Sequence, residues 1–185
     1  MRLFYIIFLC CWVSVLAVFP AVADQNDPKL NELFAQLRKA KSLEKASRIE
    51  AEIWAAWVYR GDELVDRHMS LGIQAMHAGA LRLSLREFST VIDLDKNFAE
   101  GWNKRATIHY MMGNFDESVK DIERTLALEP RHYGAISGMA LIFDATQNAS
   151  AALKAWQHVL EFTPYNQRIR KRVKHLEYEV QGKPI

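Results

Sequence analysis

Cysteine is confined to Cys10 and Cys11, and no other position of the 185-residue chain carries a thiol. Both lie in a leader-like stretch described below, so the rest of the chain has no disulfide to staple it and no thiol for catalysis or thiolate metal binding. An excess of one charge is lacking as well: 24 Lys and Arg against 22 Asp and Glu leave a formal charge of +2. Phosphate-binding surfaces normally carry a strong basic excess, which argues against nucleic acid as the main partner. The histidines, His68, His77, His109, His132, His158 and His175, form no His-Glu-x-x-His and no pair four apart. A metal site is therefore not expected. Gly-x-Ser-x-Gly and phosphate-cradling glycine loops are missing too. Carboxylate pairs such as Asp93 with Asp95, and Asp116 with Glu117, fall at expected helix ends and turns, where capping accounts for them. The reading at this point is a chain without cofactor and without enzymatic activity.

What is present begins with three parts in order. Met1 and Arg2 give a basic start, Leu3 to Phe19 is an uncharged apolar run, and Pro20-Ala21-Val22-Ala23 precedes Asp24. Small residues at the first and third places before a cut complete a secretory signal over residues 1–23, with cleavage expected after Ala23. Phe8 and Leu9 before Cys10 are too bulky to resemble a lipobox. This reading places the mature chain in the periplasm. The alternative is an uncleaved signal anchored in the inner membrane, since Leu3 to Phe19 lies at the short edge of spanning length.

From Asp27 onward the apolar residues recur at helical spacing, and no stretch shows the alternation of a strand. The fold class is all-α. Asp27-Pro28 predicts a helix start, followed by Leu30, Leu33, Phe34 and Leu37. A second helix is expected from about Ser42 to Arg60, with Ile49, Ile53, Trp54 and Trp57 on one face and Gly61 as its stop. Together these form an N-terminal helical hairpin within residues 24–64.

Three segments then align at a 34-residue period without a gap: residues 65–98, 99–132 and 133–166. In the middle segment the recurring slots hold Trp102, Ala106, His109, Ser118 and Pro130; in the first, Leu71-Gly72, Gly79, Ser84, Phe88 and Val91 fall in register, and in the last the register is carried by Ile136, Ala140, Phe143, Ala152, Trp156 and Pro164. With these slots the chain resembles tetratricopeptide-repeat (TPR) proteins, whose unit is a pair of antiparallel helices with a Trp-x2-Leu-Gly-x2-Tyr, Ala-x3-Phe, Ala, Pro pattern. The resemblance implies a right-handed superhelical stack of helix hairpins. The recurring small slot, Gly72, Ala106 and Ala140, has a physical cause, because two helices cross closely only where small side chains let the backbones approach. Asn97 with Glu100, and Asn114 with Glu117, have capping-box spacing. Three repeats are the minimum for a stable stack, and the ends need covers. The hairpin Pro28 to Arg60 is expected to bury its Trp54 and Trp57 face against the first repeat. A capping helix of about Gln167 to Val180, within residues 167–185, is expected to cover the third with Ile169, Val173, Leu176 and Val180.

The cluster Trp102, Arg105, His109 and Asp116 reads as part of this framework. Trp102 is a packing residue, His109 stands in a Tyr slot, and Arg105, in a Leu slot, needs a charged partner such as Asp121 or Glu87. The basic run Arg168 to His175 reads as a solvated face of the capping helix. Its alternative is weak contact with anionic lipid headgroups, as is contact through the signal segment, or with an acidic partner. In the family the first helix of each unit lines a concave groove. The resemblance places there Asp66, Met69, Ile73, Met76 and His77, then Glu100, Asn103, Thr107, Tyr110 and Met111, then Ser137, Leu141 and Asp144. Methionine suits irregular apolar partners, so a protein or peptide ligand is expected. One subgroup grips a terminal carboxylate with Lys, Asn and Arg. Here Met69, Ile73, Gly134 and Gly138 occupy four of those places and Lys104 a fifth, so that clamp is not expected. The function that follows is a non-enzymatic interaction scaffold of the bacterial envelope. The alternative is a structural role through self-association of the end units.

Overall fold

The computed structural model describes residues 25–182. The leader reading, with Cys10 and Cys11, lies outside the described residues. Those described form nine helices and no strand: α1 Lys29–Arg38, α2 Leu43–Val58, α3 Glu63–His77, α4 Leu81–Leu94, α5 Ala99–Met111, α6 Phe115–Leu128, α7 Tyr133–Ala145, α8 Ala149–Phe162 and α9 Gln167–Gln181. Helices α3 with α4, α5 with α6 and α7 with α8 pack as hairpins, α4 on α5 and α6 on α7 join them, and α9 packs on α8.

The small slot works as a close crossing. A Cβ on Gly72 would stand 2.5 Å from Phe88 Cε1, so the α4 phenyl ring occupies the space that any side chain there would need. Ser84 Oγ donates to the Gly72 carbonyl at 2.8 Å, and Ser118 Oγ donates to the Ala106 carbonyl at the same 2.8 Å. In the third hairpin Ala140 and Ala152 face the same crossing and are fully buried. The turn inside each hairpin also repeats. Gly79 and Gly113 have φ of +71° and +77°, and Gln147, at the equivalent place, has φ of 58°. In all three turns the next residue's N–H closes on a carbonyl five residues back at 2.9 Å: Ala80 on Ala75, Asn114 on His109 and Asn148 on Phe143.

Helix starts differ from the capping-box expectation. Phe98 precedes α5, and Asn114 precedes α6, without a side-chain cap at either. Glu100 is drawn instead into a buried network, because a nearby ammonium and imidazole offer more than an exposed amide can. Ser42, Asp62, Asn148 and Asn166 do cap their helices, and so does the ring of His132.

The N-terminal hairpin is the main correction. Its Trp54 and Trp57 face does not cover the first repeat. It packs on the seam between the second and third, in one core of Leu30, Phe34, Leu37, Ile49, Ile53, Trp57 and Tyr133 flanked by Trp54, Phe162 and Tyr165. Of α2, Val58 alone joins the core of the first hairpin. The reason is complementarity: the aromatic ridge meets rings and a glycine hollow at His132, Tyr133, Gly134 and Phe162. Rings that size stabilise most when other rings can pack against them edge-on or in an offset stack. At the other end Val173 and Leu176 of α9 are buried against the third hairpin as expected, whereas Val180 is 45% exposed.

Candidate functional site

The first helix of each hairpin turns one row of side chains to the concave side. On α5 the row is Glu100, Asn103, Thr107 and Tyr110, and on α7 it is Gly134, Ser137, Leu141 and Asp144. The steps of three and four follow the helical repeat. Two hollows lie along these rows. One, of about 120 Å³, runs between α5 and α7 over Thr107, Tyr110, Ser137, Gly138 and Leu141. The other, of about 370 Å³, runs between α7 and α9 and adds Asp144, Trp156, Arg168, Ile169 and Arg172. Ser137 and Leu141 line both, so the open concavity continues from α5 across α7 to α9.

The residues expected in the groove divide sharply. Met69 is 2% exposed and belongs to the core of the first hairpin, with Ile73 and Met76 packed against it. Asp66 accepts from the backbone N–H of Arg60 and Gly61. His77 is exposed. The first unit therefore offers little of the row to a ligand. Asn103 is buried and donates to Glu100 at 2.8 Å. Thr107 is exposed, Met111 is 48% exposed and Leu141 39%, while Tyr110 and Ser137 are half-buried. Tyr110 leans on Phe115, with ring centroids 5.7 Å apart.

Asp144 is held by Arg172 at 2.7 Å and accepts from the Trp156 indole N–H at 2.9 Å. The hydrogen bond that Arg172 donates to Asp144 raises the Arg172 pKa further. Arg172 was expected on a solvated face, and nothing in its local sequence announces that it reaches α7.

The opening end of the rows holds a buried polar network. His132 is fully buried, accepts from the Ala135 N–H on Nδ1 at 3.1 Å, and donates from Nε2 to Glu100 at 2.8 Å. Its two nitrogens are thereby fixed in role. Lys104 Nζ stands 3.0 Å from Glu100. Burial by itself opposes the charged form of Glu100, but the Lys104 ammonium and the His132 hydrogen bond outweigh it and hold the carboxyl at about 2 against an ordinary 4.5. The Trp57 indole stacks on His132 at 4.1 Å and 12°. Trp54 stands edge-on to Trp57, His132 and Tyr133. Trp54 was read as a cap residue, and its presence at the groove was missed. The available signals were glycine at 134 and lysine at 104, two departures from the family's groove pattern.

The remaining framework residues fall as follows. Arg105 forms a two-pronged pair with Asp121 at 2.7 and 2.8 Å. Trp102 is only half-buried. Its indole N–H donates to the Lys96 carbonyl at 3.0 Å, with the Arg105 guanidinium 5.0 Å from its ring centroid. Glu87 plays the Asp121 part in the first hairpin, where the His68 hydrogen bond leads in lowering its pKa. Burial depresses the His109 pKa. Pro130 is exposed and Pro164 half-buried, each just beyond the helix that precedes it.

Comparison with known proteins follows the same lines. The tetratricopeptide repeat profile matches residues 99–132. A TPR repeat-containing protein of Rhizobium etli is 35% identical over 154 residues, which are 83% of this chain and 76% of that protein. Among solved structures, the first TPR of Spaghetti (RPAP3) bound to HSP90 peptide SRMEEVD gives a TM-score of 0.61 at 18% identity, covering 64% of this chain and 94% of that one. MamA gives 0.59 at 18% identity, covering 80% and 84%. The Arabidopsis OM64 TPR domain gives 0.58 at 16%, covering 62% and 94%. Such structural likeness at low identity speaks for the fold. With the extended match to the Rhizobium etli protein and the repeated hairpins, it follows that the chain belongs to the tetratricopeptide-repeat family.

Proposed function

We propose that this chain is a non-enzymatic interaction protein that binds an extended segment of another protein along the concavity of α5, α7 and α9. The observation that carries the reading is the continuity of the two hollows through Ser137 and Leu141. Their lining mixes an exposed leucine, a tyrosine ring, hydroxyls and the guanidinium of Arg168, which has no partner among the described residues, a surface that suits a peptide better than a small molecule closed on all sides. The likeness to a TPR structure that holds a bound peptide adds support.

A photo-crosslinking residue at Leu141, with Lys120 on α6 as control, tests it in the native compartment. A partner trapped from Leu141 alone is the expected result, and equal trapping from both positions counts against it.

Export to the periplasm is part of the proposal and rests on residues 1–23 of the sequence. Sequencing the N-terminus of the purified native protein decides it: a start at Asp24 supports export with cleavage, and a retained Met1 contradicts cleavage. A structural role by self-association has its own observation, because Leu64 and Leu71, seven apart on α3, are 54% and 41% exposed on the first helix of the stack. Light scattering over a range of concentrations separates the two readings, and a monomer throughout argues against stacking.

A further inference from the structure

The rows of α5 and α7 do not begin empty. A Cβ on Gly134 would lie 2.4 Å from Trp54 Cη2 and 3.1 Å from Cζ2, so the indole fills the place of a side chain at that position. Lys104 Nζ stands 5.6 Å from the centroid of a Trp54 ring while holding Glu100. Glu100 is turned inward to His132. The first turn of both rows is therefore already committed to the chain's own α2.

The indole is no loose flap. The hairpin that carries it is fixed at separate points along the stack. Gln25 bonds the backbone of Asn97 and Ala99, Arg131 donates to Asn31 at 2.8 Å, Trp57 stacks on His132, and Phe34 packs on Phe162 with centroids 5.9 Å apart. Beyond Trp54 the lining changes character. Thr107, Tyr110, Ser137, Gly138 and Leu141 carry no charge. The Thr107 and Ser137 hydroxyls donate to carbonyls of their own helices, which leaves their oxygens free to accept.

We propose that Trp54 is a specificity-determining wall: the α1–α2 hairpin is a built-in occupant of the first helical turn of the groove, and an external segment is confined to the turns that follow. This rests on the groove-binding reading above and adds a limit to it. The glycine at 134 and the lysine at 104 then have a common cause, since one makes room for the indole and the other covers its face. Polypeptide that lies between α5 and α7 meets uncharged side chains and acceptor oxygens there, and the indole bars it from the side-chain position of Gly134 and from Lys104.

Selection of random dodecapeptides displayed on phage tests this, using protein spanning residues 24–185 and its Trp54→Ala variant as parallel targets. Trp54→Leu serves as a second variant that keeps apolar contact, and circular dichroism establishes that each variant folds. Peptides selected on the unchanged chain are expected to lose binding in Gly138→Trp and to keep it in Lys104→Ala. Peptides selected on Trp54→Ala, or on Trp54→Leu if the alanine variant does not fold, are expected to carry an aromatic residue at a fixed place. They should bind the unchanged chain at least about tenfold more weakly, because the indole pocket is full there. Equal affinity of those peptides for the unchanged chain and the variant, with Gly138→Trp still abolishing binding, overturns the wall while leaving the groove. Binding that Gly138→Trp does not touch, or a library that yields no peptide sensitive to it, overturns the groove reading and the wall with it.

Discussion

Gln147 stands where Gly79 and Gly113 stand in the other two turns, with a φ of 58° that L side chains rarely adopt. The backbone bonds of the three turns match, so glycine fits the third without rearrangement. Gln147→Gly is expected to raise stability by about 0.5–1 kcal/mol in urea denaturation, since it removes the left-handed penalty where the exposed side chain contributes little. No change, or a loss, contradicts the equivalence of the turns.

Glu100 sets a second residue-scale expectation. Its carboxyl is held at about 2 in the fold against 4.5 otherwise, a depressed value, so its contribution is complete above pH 4.5 and is lost as pH falls toward 2. The stability advantage of the unchanged chain over Glu100→Gln should therefore be flat from neutral pH down to about 5. It should shrink below that by on the order of 3 kcal/mol. A difference that stays flat through pH 3 speaks against a buried charge at Glu100. The sequence did not show this network. The three-residue spacing of Asn97 and Glu100 matched a cap, a local pattern, while His132 lies 32 residues on, at the start of α7, and its contact depends on the stacking of α5 and α7. Arg105 was different, because a cation in a leucine slot announces that a partner is near, and Asp121 was already among the candidates.

Among the elements, helix starts, helix stops and the hairpin crossings were legible, because apolar spacing, glycine and small-residue slots are local and periodic. The seat of the α1–α2 hairpin was not. An aromatic face states that a helix must be covered, but only the three-dimensional surface states by what. Here the first unit offers exposed leucines, and the seam of the second and third offers rings and a glycine hollow. Trp57→Ala tests that seat. It should cost about 3–5 kcal/mol in thermal or chemical unfolding, the range for a fully buried large aromatic, and should expose the hairpin to proteolysis before the rest. A variant that melts like the unchanged chain and shows no early cleavage in the hairpin places the α2 face elsewhere.

At the scale of the molecule, a repeat stack is held by nearest-neighbour contacts and its ends can fray independently. The hairpin changes that expectation by joining α2 to units that are not its neighbours in sequence. Melting followed by far-ultraviolet circular dichroism and by tryptophan fluorescence is expected to give one coincident transition, and Trp57→Ala should separate the two probes. Separate transitions in the unchanged chain would show that the hairpin adds no coupling. The same arrangement gives the groove its form, with one end filled by Trp54 and the remainder open from Thr107 to Arg172.

The most direct test of groove binding is chemical-shift mapping of isotopically labelled protein spanning residues 24–185 with a peptide selected on it. The account predicts shifts concentrated at Thr107, Tyr110, Ser137, Gly138 and Leu141, with little change at Lys104 and on α4 and α6. Shifts centred on α4, α6 or the outer side of α9, with those concave positions unmoved, would contradict it.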